Sequence, residues 1–192
     1  MKKLFTILVL LGTVYTASAQ LKSHGVMVGL KAGINLANVS ISGSGTSITP
    51  NSLTRGTVGA FAMIPAGKKF TIQPELLYSG MGFEYSGSKA KFDYLSLPVL
   101  AKFIVASGFG IYGGPQIGFL LSAKEDGEDV KDHIKSTDFS GVFGADYTLS
   151  NGINFAARYQ LGLSNIIKDS DPGSAAKNNA FTFTIGYVFR AK

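Results

Sequence analysis

The chain has 192 residues, no Cys, and 18 Lys and Arg against 12 Asp and Glu, a net charge of +6. Without Cys it forms no disulfide and offers no thiolate to a metal, and its basic residues are scattered rather than gathered in a block or on a helix, which argues against nucleic acid. The length is that of one domain.

The first element is MKKLFTILVLLGTVYTASAQ, with Lys2 and Lys3, an apolar run from Leu4 to Val14, and Ala17-Ser18-Ala19 before Gln20. A basic start, a short apolar middle and small residues at the end make a secretory signal peptide. Residues 1–19 are assigned to it, with cleavage after Ala19. The run is shorter than the roughly 20 residues that a helix needs to span a bilayer, and no Cys follows for lipid attachment. The remainder, 20–192, keeps 16 basic and 12 acidic residues, a net +4.

Beyond Gln20 no helical period is found, and eight segments alternate with the period of two that marks strands. The first, Val26 to Asn38, sets Val26, Val28, Leu30, Ala32, Ile34 and Leu36 against Lys31, Gly33 and Asn35. The second, Thr54 to Ile64, has no clear register. The third, Phe70 to Phe83, sets Phe70, Ile72, Leu76 and Tyr78 against Thr71, Gln73, Glu75 and Ser79. The fourth, Phe92 to Ile104, sets Leu95, Leu97, Val99, Ala101 and Phe103 against Ser96 and Lys102. In the fifth, Phe109 to Ser122, Phe109, Ile111, Ile117, Phe119 and Leu121 oppose Gly110, Gly114, Gln116 and Gly118. The sixth, Asp138 to Thr148, opposes Phe139, Phe143, Ala145 and Tyr147 to Ser140, Gly144 and Asp146. The seventh, Ile153 to Leu163, opposes Ile153, Phe155, Ala157, Tyr159 and Leu161 to Asn154, Arg158, Gln160 and Gly162. The eighth is FTFTIGYVF, with Phe181, Phe183, Ile185, Tyr187 and Phe189 on one face. Pro74, Pro98 and Pro115 fall inside strands, where a residue without an N–H predicts local bulges.

Short turns at Pro65 to Lys68, Val105 to Gly108 and Leu149 to Gly152 alternate with longer polar loops at 40–53, 84–91, 123–137 and 164–177. Such alternation fits an antiparallel meander with one neat end and one ragged end, as in outer-membrane barrels.

The apolar faces together carry roughly 35 bulky side chains, whereas an eight-stranded barrel is barely wide enough to be filled and the comparable core of a TIM barrel takes about a dozen. The apolar face must therefore point outward, and only hydrocarbon makes that favourable. A lipocalin-like barrel or a two-sheet sandwich would show charge on its outer face, but the polar face here is small and mostly uncharged. The predicted fold is all-β: an eight-stranded antiparallel up-and-down transmembrane β-barrel. Its first and last strands must pair, because lipid supplies no hydrogen bonds. Tyr78, Tyr147, Tyr159 and Tyr187 are candidates for an aromatic girdle.

GLKAGINLANV, IQPELLYSGMGF, YLSLPVLAKF, GIYGGPQIGFLLS and FTFTIGYVF resemble the outer-membrane β-barrel domains grouped as the porin family of Gram-negative bacteria. The resemblance spans 20–192 and implies an eight-stranded barrel in the outer membrane, within a functionally heterogeneous family. Outer-membrane proteins commonly end on an aromatic residue, whereas this chain places Phe189 before Arg190-Ala191-Lys192.

Lys31, Glu75, Lys102, Asp138, Asp146 and Arg158 fall on the inward face, and a buried charge needs a partner. A lumen charge cluster that plugs the barrel is expected, with a proton or solute path through it as the other reading. Eight strands are too few for an open aqueous pore. His133 lies near Asp129, Asp132 and Ser136, a triad only on paper; Lys124 to Asp129 lacks the spacing of a calcium loop. No enzyme, metal or cofactor is expected. The sequence points to a monomeric structural or binding protein of the outer membrane. Its expected partners are membrane lipids, lipopolysaccharide and proteins met through the four loops, with no nucleic acid. A narrow conduit for small solutes or ions is the alternative, and a lipid-modifying enzyme comes third.

Overall fold

Alternating faces become a closed wall in the computed structural model, which describes residues 25–43, 46–48, 50–168 and 174–189. The predicted signal peptide lies outside the described residues. Eight long strands form the wall: β1 (Met27–Gly43), β3 (Asn51–Pro65), β4 (Phe70–Tyr85), β5 (Ser88–Ala106), β6 (Phe109–Glu125), β8 (Thr137–Thr148), β9 (Ile153–Gly162) and β10 (Ala175–Phe189). Two short ones, β2 (Thr46–Ile48) and β7 (Glu128–Asp129), and the 3-10 turn Lys131–His133 decorate one end. Each long strand pairs antiparallel with its chain neighbour. The ring closes between β1 and β10, paired from Val28↔Phe189 to Ser42↔Ala175.

The side chains divide as a membrane barrel requires. Leu30, Phe143, Phe181, Phe183 and Ile185 are exposed on the outside, while Lys31, Glu75, Asn154 and Arg158 are buried within. Phe70 packs edge-on against Phe103, and Tyr187 against Phe189, with ring centroids 5.6 and 5.1 Å apart. These rings lie with Phe109 and Tyr147 beside the short turns, where one girdle belongs. Tyr159 instead sits between Phe143 and Phe181 on the outer wall. The narrow interior presses strands together: a Cβ on Gly33 would run into the Phe183 carbonyl oxygen, and one on Gly59 into that of Leu76.

Register shifts occur at Ser52/Thr57, Asp93/Tyr94 and Ile104/Ala106 rather than at the prolines. Pairing lapses beside Pro74 and Pro98 but resumes in the same register, because a missing N–H deletes one ladder bond without adding a residue. The ambiguous second segment acquires a face, with Thr57, Phe61 and Met63 inward and Val58 outward.

The polar stretch 84–91 is not a loop. β4 and β5 run on to a two-residue turn, Ser86-Gly87, with φ of 50° and 89°. Asp126-Gly127 joins β6 to β7 with φ of 47° and 98°. Positive φ at both central residues is the pattern of a type I′ turn, whose twist suits a hairpin. Asp126 Oδ1 also accepts the Lys89 backbone N–H at 2.9 Å, which holds its carboxyl below the usual range. Most of 40–53 is likewise strand, and part of 123–137, whereas β10 takes in only 175–177 of the stretch 164–177. Strands that project past the bilayer need no apolar face, so their polarity reads as loop although their backbone pairing continues.

Candidate functional site

The lumen gathers the charged residues at three heights. At mid-barrel Glu75, from β4, accepts Lys31 Nζ at 2.6 Å on Oε1 and Arg158 Nη1 at 2.8 Å on Oε2. Gln73 Nε2 donates to Oε1 at 2.8 Å. The Lys31 ammonium also stands 5.3 Å from the centre of the Phe61 ring, within cation–π range. The Glu75 side chain is 0% exposed and those of its cationic partners 5% or less, so this is a dry ion triad. Next to it Asn35 donates to Ser79 Oγ and the Gly80 carbonyl and accepts from Thr182.

Toward the short turns, Lys102 Nζ meets Asp146 Oδ2 at 2.5 Å, and Asn154 donates to the same oxygen at 3.0 Å and to Thr148. Toward the other end, Asp138 pairs with no cation among the described residues. It accepts Ser164 Oγ at 2.8 Å and Asn178 Nδ2 at 3.0 Å, and the same Asn178 amide donates to the Tyr94 hydroxyl at 3.2 Å. The six residues that the sequence grouped together thus form one triad, one pair and one hydrogen-bonded carboxyl.

A scan against family models matches residues 18–168 to the family described as outer membrane protein beta-barrel domain. The chain belongs to that family. Solved outer-membrane structures share its fold. Ail, the attachment invasion locus protein of Yersinia pestis, is 16% identical with a TM-score of 0.52, over 86% of this chain and 99% of that one. Neisserial surface protein A is 13% identical with a TM-score of 0.55, over 86% and 97%. No curated protein sequence matches the chain. The protein is accordingly an outer-membrane β-barrel.

Two features of this family member escaped the sequence. Arg55 Nη2 and Asp93 Oδ1 pair at 2.6 Å beside Tyr78 on the outer wall. The bulge in β3 turns Arg55 to this face, and no periodicity reveals it. The second is an apolar layer inside the outer end, where Met81, Phe92, Tyr94 and Leu120 are buried. Parity with Ser96 and Gln116 places Phe92, Tyr94 and Leu120 inward, a signal outweighed in the sequence by the larger outward series. His133 makes no side-chain hydrogen bond to Asp129, Asp132 or Ser136 among the described residues, and no grouping of His, Asp and Glu there could hold a metal.

Proposed function

We propose that this barrel is a structural and binding protein, sealed along its axis, that displays its outer hairpins and segments to the exterior while seated among lipopolysaccharide. The observation that carries the reading is the Lys31–Glu75–Arg158 triad, which reaches across the lumen from β1, β4 and β9 and leaves its charges paired and dry. A hydrated ion would have to break those contacts to pass, which costs far more than thermal energy. Planar bilayers containing the mature protein should show no ohmic conductance. Reproducible single-channel steps would instead establish the conduit reading.

Lipopolysaccharide is favoured by Lys91 and Lys124, directly opposed and exposed on the outer wall. Neither lies within ion-pair distance of a carboxylate among the described residues. Like charges placed opposite one another destabilise a sheet, and a phosphate between them relieves that repulsion. The thermal midpoint should rise when lipopolysaccharide is added to phosphatidylcholine vesicles, and the Lys91→Ala/Lys124→Ala variant should lose most of that rise. An equal rise in both proteins refutes the assignment.

A further inference from the structure

Above the Tyr94–Asn178–Asp138 contacts the interior ceases to be polar. Val39, Phe83 and Phe92 from the wall, with Ile134, Ile166 and Ile167 from the outer segments, surround a cavity of about 270 Å³. The covering is built rather than draped. Ile134 and Ile167 form a backbone bridge, Lys135 N donates to the Ile166 carbonyl at 2.7 Å, and Lys168 N to the His133 carbonyl at 3.0 Å. Ile166 is only 1% exposed. Connections at a barrel's outer end are ordinarily polar and solvated, so an isoleucine tucked inward from one of them serves the interior and not the loop.

The size and lining select the occupant. A cavity of about 150 Å³ lined by Leu, Ile and Phe stays dry and takes up benzene; this one is larger and similarly lined. Glu125 and His133 are its only ionisable lining groups among the described residues, and both are exposed. A charged solute would lose its hydration inside without gaining a partner, whereas burying apolar surface there is favourable. We infer that the outer mouth is a binding cup for a small uncharged molecule about the size of a substituted benzene ring, entering from outside and halted by the Tyr94–Asn178–Asp138 floor. The cup relies on the sealed-lumen reading only for its dead end. Conductance would overturn that reading and leave the cavity untouched, while the experiment below addresses the cavity alone.

The test uses the mature protein in lipid nanodiscs, with isoleucine methyl groups labelled for NMR and toluene as the probe. Methyl shifts of Ile134, Ile166 and Ile167 should saturate as toluene rises. Those of lipid-facing Ile34, Ile72 and Ile185 should drift without saturating, as the probe dissolves in the bilayer. Ile166→Phe or Ala176→Phe, each filling the cavity, should abolish the saturable response. The inference is overturned if the wild-type cavity methyls do not shift or drift like the lipid-facing set, or if saturation persists in a folded filled variant. Magnetisation transfer from lipid chains to Ile166 before toluene is added also overturns it, because the occupant is then an acyl chain.

Discussion

Glu75→Ala will lower the stability of the barrel by about 3–5 kcal/mol, the usual cost of removing one partner from a buried ion cluster. Glu75 is the sole carboxylate of the mid-barrel triad, so its loss leaves the Lys31 and Arg158 cations facing each other in a dry lumen. The attraction that disappears matters less than the two charges left unpaired. Glu75→Ala introduced into a Lys31→Met/Arg158→Leu background should therefore cost much less, since no cation remains to be orphaned. The chain contains no Trp, so unfolding is best followed by the heat-dependent gel shift and by circular dichroism in urea with phospholipid vesicles. A single-variant cost under about 1 kcal/mol would mean that water reaches the triad and screens it, and the sealed-lumen reading would fail with it.

Ile185→Arg will destabilise by about 2–4 kcal/mol, and Phe189→Arg by no more than about 1 kcal/mol. Both residues are on the outer wall, 55% and 46% exposed, and a water-bathed surface would tolerate the two changes alike. Ile185 pairs with Ala32 and Phe155 near the middle of the apolar belt, whereas Phe189 pairs with Val28 at the end bearing the short turns. Depth in hydrocarbon thus separates them, because a guanidinium near the interface can reach water. Folding equilibria in vesicles measure the gradient directly. Equal costs at the two positions would place this wall outside lipid.

Most of the wall was legible because strand parity is a local property. The outward series from Phe181 to Phe189 and the inward positions of Lys31, Lys102 and Arg158 follow from adjacent residues alone. The polar ends of β4 and β5 misled for the opposite reason: composition reports the medium around a strand, not whether its backbone is paired. Arg55 was unreadable, since one bulge turns a side chain to the other face.

By its residues alone the chain determined that its apolar faces must look outward, and hence that the sheet must close: too many bulky side chains for a narrow cylinder is a matter of counting. Only the tertiary structure decided which inward charges meet. Glu75 lies 44 residues from Lys31 and 83 from Arg158, and their heights depend on tilt and register accumulated around the whole ring. The same dependence separated Asp138 from every cation among the described residues and folded Ile134 and Ile166 over the mouth, because contacts across a lumen are made by strands that are not neighbours in the sheet.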